Sequence, residues 1–413
     1  NKENNVFQLV VQYGAGEREF PKLGYAAQLM NNAGIMGAYE PQELKEELSK
    51  LNATCHVTAD DDNLYIIMEG YEATLPQACQ LLSRQILMPK LDEKQLARLK
   101  GSAMGMRQQR KDNVSILNEA LRQYMLYGEK SDYIKELTDK EIYELQISEL
   151  TGDINRASNY EAKVFFTGTL PFDQVYDILS KNLPLVANER PSNSPQAKDM
   201  MPVTENTVYF LPNNDAEQAQ IHLYIPMQKA DKKDDVLRSA FNQYFGLDFT
   251  GIVLNEIREK RSMAYTAYAF VGTQGIAGKA SYLRGYIGTQ NDKANDALDV
   301  LMGLVNDMPK NPERIDNIKS YLRQAMLTSH PSFRNKAMEL VDLGYRGYTD
   351  DPAKENLPKV DALTFDDIVK FYEENIKDKP YCISIMGNPK NIDLKRLEKF
   401  GKVVKLNERK LFN

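Results

Sequence analysis

Leu81–Lys100 reads LLSRQILMPKLDEKQLARLK and Leu301–Ser320 reads LMGLVNDMPKNPERIDNIKS. The shared MPK falls at Met88–Lys90 and at Met308–Lys310, a separation of 308 − 88 = 220. Two further markers keep nearly the same offset. FFTGTLPFDQVYDIL around Gly168 answers SIMGNPKNIDLKRL around Gly387, at 219, and Gly70 of LYIIMEGY answers Gly288 of YLRGYIGT, at 218. A fixed offset carried by three markers reads as one unit written twice.

Each copy has the same predicted order: strand, long helix, strand pair, helix ending at MPK, long helix, smaller helices, and a last strand ending at Gly168 or Gly387. Alternation and β-branched or aromatic content predict strands at Val6–Tyr13, Leu64–Met68 and Ile221–Ile225. Three-to-four spacing predicts helices whose buried stripes are Leu75, Ala78, Cys79, Leu82 and Ile86, and Ala297, Val300, Leu301 and Leu304. Strand pairs separated by runs of helices predict α+β architecture, each copy a mostly antiparallel sheet with helices packed on one face. The proline-rich stretch Pro184–Asn206 suits a seam, which gives domains 1–200 and 201–413.

Composition narrows the function. A chain of 413 residues with 42% hydrophobic and 27% charged residues is ordinary globular material. Net charge of −6 and a pI near 5.5 give no electrostatic reason to seek nucleic acid or an anionic membrane. Cys55, Cys79 and Cys382 have neither a disulfide pattern nor CxxC spacing. No apolar run is long enough to span a membrane. The chain opens on Asn and has no apolar signal core at Asn1–Leu9, so a start cut from something longer is expected, and the compartment, periplasm or cytoplasm, stays open.

The common catalytic signatures are missing: no GxxxxGK[ST], no GxSxG, no HExxH. The three histidines, His56, His222 and His330, are separated by 166 and 108 residues, so no two sit at the i, i+4 spacing of a local zinc site. His56 reads as a strand residue before the Asp60-Asp61-Asp62-Asn63 turn, His222 as a strand residue with a satisfied polar contact, and His330 as the end of a helix before Pro331.

One constellation stands above this background: Leu254–Tyr268, LNEIREKRSMAYTAY, a charged amphipathic helix running into an aromatic strand. Arg258 and Tyr265 within it resemble the arginine and tyrosine element of the insulinase and pitrilysin family of zinc metallopeptidases, and the doubled unit of about 200 residues resembles that family's halves. The family's zinc half carries HxxEH and a later Glu ligand. Setting the family's downstream Met and Gly on Met30 and Gly34 puts Tyr25-Ala26-Ala27-Gln28-Leu29 on the motif. Leu29 cannot coordinate and Gln28 cannot take a proton from water. No carboxylate lies between Glu93 and Asp112 for the third ligand, and the matching helix of the second copy, Leu237–Phe249, has no His.

The resemblance therefore implies a noncatalytic half without metal or cofactor of its own. Its zinc belongs to a partner, either an N-terminal half of the same chain or a separate catalytic subunit. Arg258 and Tyr265 would supply a charged planar fork and a phenolic donor to the scissile carbonyl of an unfolded peptide. Lys260 and Arg261 compete on paper as the cation. A nonenzymatic peptide-binding or structural subunit of the same fold is the alternative.

Overall fold

A computed structural model of the chain describes residues 4–110, 113–183, 190–193, 195–246, 250–329 and 331–413. The chain is 50% helical and 21% strand, the expected α+β class. It forms two compact units that interleave along the sequence. The first comprises Asn1–Gln108, Leu137–Gln196 and Pro331–Val341; the second comprises Gln109–Glu136, Ala197–His330 and Asp342–Asn413. Chain order alone would group 109–136 with the first half and 331–341 with the second. Residues 184–189 and 194 of the expected seam, His330 and residues 247–249 lie outside the described residues.

The first unit is built on β1 (Val6–Tyr13), β3 (Thr54–Ala59), β4 (Leu64–Tyr71) and β6 (Ala162–Thr167), in the order β3-β4-β1-β6 and antiparallel throughout. A short ladder joins β2 (Gly34–Ile35) to β5 (Pro89–Lys90). β1 reads VFQLVVQY because β-branched and aromatic residues fit a central pleated strand, and Phe7, Leu9 and Val11 enter the core. The helix Leu75–Leu87 buries Leu75, Ala78, Cys79 and Leu82, the stripe its spacing predicts.

The second unit holds β7 (Thr207–Pro212), β8 (Gln218–Lys229), β9 (Ala264–Thr273), β10 (Ala280–Gln290), β11 (Cys382–Gly387) and β12 (Lys402–Lys405), in the order β12-β7-β11-β8-β10-β9. The parallel pairs in it are β7 with β11 and β7 with β12. One face carries the large core of Ile221, Leu223, Leu283, Ile287 and Ile383 against the helices Asp235–Phe245 and Ala294–Asn306. The other face takes the helix Val114–Tyr127, whose Leu117, Ala120 and Leu121 pack with Leu211, Met386 and Leu411. That apolar stripe is the physical reason residues 109–136 join the second unit.

The glycine markers have a steric cause. A Cβ on Gly168 would lie 2.4 Å from Glu72 Oε1, and one on Gly387 would lie 2.6 Å from Asn291 Oδ1. Glu72 accepts from the backbone N–H of Leu170, and Asn291 from that of Asn388, at 3.1 and 2.8 Å. Each buried polar side chain thus needs the hydrogen in place of a methyl. The offset 291 − 72 = 219 equals that between the two glycines. The MPK marker is less uniform: Met88 is 49% exposed, whereas Met308 is 1% exposed.

Candidate functional site

Arg258 and Tyr265 line one cleft of about 350 Å³ together with Glu259, Ser262, Met263, Ala264, Gln290 and Lys293. Three local features bring them there. The chain leaves the short helix Ile252–Leu254 through a π-helical turn, Asn255–Glu259, closed by Lys260 N–H donating to Asn255 O at 2.9 Å. Such wide turns are frequent at functional sites. Ser262 then sits at φ +50°, a conformation costly for a residue with a Cβ. It is tied by its N–H to Arg258 O at 2.8 Å, and its carbonyl accepts from Lys293 Nζ at 3.1 Å.

Third, β9 carries a bulge at Tyr265. Gly288 faces Thr266 but Thr289 faces Ala264, so Tyr265 is the extra residue. Strict alternation would send it into the core with Ala267, Ala269 and Val271, which are buried. The bulge re-aims it outward, leaving it 55% exposed with Gln290 Nε2 donating to its hydroxyl at 3.4 Å.

The competing cations are accounted for. Lys260 reaches Glu256 at 2.5 Å, and Arg261 reaches both the Glu256 carboxylate and, at 2.7 Å, its carbonyl. The Arg261 and Lys260 hydrogen bonds hold the Glu256 carboxyl below the usual carboxylate range. Neither residue lines the cleft. Arg258 has a looser partner, Glu259 at 3.5 Å with both side chains exposed, an ion pair worth little in water. Its fork is therefore available to a ligand. Gln290, Lys293 and the strained Ser262 escaped the sequence reading because no motif marks them; only the β9–β10 pairing brings position 290 to position 265.

On the helix Leu23–Met30 four of the five motif positions pack against the core. Ala26, Ala27 and Leu29 are buried, Tyr25 packs against the first core, and Gln28 is exposed. These residues do not fit a zinc ion, since Leu29 has no donor atom and is 2% exposed. Among the described residues no group of three or more His, Cys, Asp or Glu stands where it would hold a metal ion. Burial pushes the Cys55 and Cys79 thiols up to about 12 and that of Cys382 up to about 11, which leaves them poor nucleophiles. His56 is exposed. His222 is buried in β8, its Nε2 meeting Asn118 Oδ1 at 3.1 Å while Nδ1 has no partner. Burial first, then Arg284 and Arg122, push its pKa down to about 3, so it stays uncharged.

A larger hollow of about 630 Å³ lies elsewhere in the second unit, with Arg238, Arg346 and Asp367 on its walls. Arg238 and Arg346 both bind Asp235, which also accepts from Tyr348 at 2.8 Å. Size favours this hollow, but its arginines are already satisfied, whereas the smaller cleft presents donors without strong partners.

The chain is a pair of α+β units, and among the described residues neither gathers three or more metal-ligating side chains. Residues 158–322 match the sequence profile of the peptidase M16 inactive domain. The fold is similar to that of a peptidase M16 inactive domain from Pseudomonas fluorescens, with 16% identity, 95% of each chain covered and a TM-score of 0.73. It is also similar to the periplasmic protease PqqL from Escherichia coli (13%, 94% of this chain and 43% of that one, TM-score 0.71). A mutant of the ferredoxin protease FusC, solved with Arabidopsis ferredoxin, matches likewise (12%, 93% and 42%, 0.74). The chain spans less than half the length of those two proteases. No curated protein sequence matches it. The matched segment and the shared fold agree with the insulinase and pitrilysin resemblance of the sequence. Among the described residues no helix is long and apolar enough to cross a membrane.

Proposed function

We propose that this chain is the substrate-holding half of a zinc-dependent endopeptidase, completing an active site whose zinc is bound by a separate catalytic half. The observation that carries this is the shared cleft of Arg258 and Tyr265, one donor fork loosely held and one hydroxyl turned out of the core by a bulge. When a peptide carbonyl is attacked, charge gathers on its oxygen, and donors already aimed at that position favour the transition state over the ground state. Arg258 supplies permanent positive charge and Tyr265 a neutral O–H, with Gln290 steadying the phenol. Unfolded peptide is the substrate this reading implies, because a cleft that grips backbone carbonyl oxygen reads extension more than side chain.

Reconstitution tests it. The 413-residue chain alone cleaves no unfolded peptide and binds no stoichiometric zinc, while mixing it with a zinc-bearing half restores cleavage. Proteolysis by this chain unaided, or no gain on mixing, rejects the proposal.

A further inference from the structure

The sheet face opposite the large core continues from the cleft. On β10, Tyr282, Arg284, Tyr286 and Gln290 share one side, since the intervening Leu283, Gly285 and Ile287 are buried in the core. Gln290 donates to Tyr265, so the Tyr265 hydroxyl lies on this same face. Cross-strand register sets Tyr286 between Tyr268 and His222, and Arg284 between Phe270 and Tyr224. The rings touch in series: Tyr268 to Tyr286 at 5.2 Å, Tyr286 to His222 at 5.1 Å and Tyr268 to Phe270 at 6.0 Å.

Arg284 is the anomaly on this face. It is half-buried, its Nε is shut off from solvent without an acceptor, and it makes no hydrogen bond or ion pair among the described residues. A desolvated guanidinium normally meets an acid. The nearby Arg122 has one, Glu119, but Arg284 does not. Beside it the buried His222 ring also keeps one nitrogen unpartnered and is uncharged, so it offers no counter-charge.

We infer that Arg284, walled by Phe270, Tyr282 and Tyr286, is a subsite for a carboxylate of the peptide held at the Arg258 and Tyr265 cleft. This rests on the proposed peptide-holding role. Five residue steps of strand lead from Tyr265 to Phe270, the neighbour of Arg284, roughly 17 Å of extended chain. The carboxylate therefore belongs to a residue about five positions from the held carbonyl. It is either an acidic side chain or the peptide's C-terminus.

The test measures fluorescence polarisation of labelled, proline-free peptides on the full chain. A single Glu is moved through a Gln background, with C-terminal acid and amide versions of each. One position of Glu, or the free C-terminus at one length, binds about tenfold tighter than its neutral counterpart. Loss of the advantage on amidation identifies the C-terminus as its source; persistence identifies the side chain. Arg284→Gln abolishes the advantage, Arg284→Lys keeps part of it, and Arg258→Ala weakens every peptide while leaving the ratio intact. Should Arg284→Gln fail to fold, Arg284→Met, which keeps the aliphatic stem, carries the same reading. If Arg258→Ala changes no affinity but the ratio persists, the carbonyl-holding role falls and this subsite stands. Absent binding of the carboxylate peptides, no carboxylate preference, or a preference that survives loss of the Arg284 charge overturns the inference.

Discussion

Asn242 meets Val271 with both ends of its amide: Oδ1 accepts from the Val271 N–H at 2.6 Å and Nδ2 donates to its carbonyl at 3.0 Å. The side chain thereby makes the two bonds a neighbouring strand would make, on the open side of the edge strand β9. In the first unit Asn31 treats Val57 of the edge strand β3 in the same way, at 2.7 and 2.8 Å. An uncapped edge invites pairing with other chains, and in each unit an asparagine occupies the backbone groups of one residue on one edge strand.

Asn242→Asp tests the cap. The variant keeps size and acceptor but loses the donor to Val271 O, so stability falls by about 1–3 kcal/mol. Thermal unfolding and aggregation assays read it; an unchanged melting temperature removes the capping role.

Turnover separates the cations. In the reconstituted enzyme Tyr265→Phe and Arg258→Ala each lower kcat by about a hundredfold, near 3 kcal/mol of barrier. Arg261→Gln stays close to wild type because Glu256 already holds that guanidinium away from the cleft. Equal losses at Arg258 and Arg261 would show that the turn as a whole, rather than the Arg258 fork, is what matters.

His222 sets a pH window. Its folded pKa, about 3, lies below the ordinary 6.5, so the unfolded chain binds the extra proton first. The stability it contributes is full above pH 6.5 and drains away as pH falls toward 3. Melting temperature followed from pH 7.5 to 4.5 falls less steeply in His222→Gln than in wild type. Parallel curves would mean that this imidazole does not drive the acid sensitivity.

Gly387→Ala tests the marker. The added methyl meets Asn291 Oδ1 and Ile392 Cδ1, each at 2.6 Å, and Asn291 is anchored by its own donation to Ala216 O at 2.8 Å. Overpacking costs about 1–3 kcal/mol, read as a drop in denaturation midpoint with the slope unchanged.

Much of this molecule is local and was legible in the chain. The strand alternation of Val6–Tyr13 and the helical stripe of Leu75, Ala78, Cys79 and Leu82 need only periodicity and side-chain chemistry. Residue type alone tells that Leu29 cannot bind zinc, and the family resemblance is what singles out Arg258 and Tyr265. The reading of a helix running evenly into a strand missed the π-helical turn, the left-handed Ser262 and the bulge.

Those features depend on non-local pairing. Whether Tyr265 points inward or outward turns on which residue of β10 stands opposite Ala264, a choice made by ladder hydrogen bonds 25 residues away. In the same way Val114–Tyr127 joins the second unit because the face of a remote sheet offers its apolar stripe a place to bury. Sequence determined which side chains were present to act; only tertiary contact decided which of them share a cleft, since burial and hydrogen bonding are paid for between residues that chain order keeps apart.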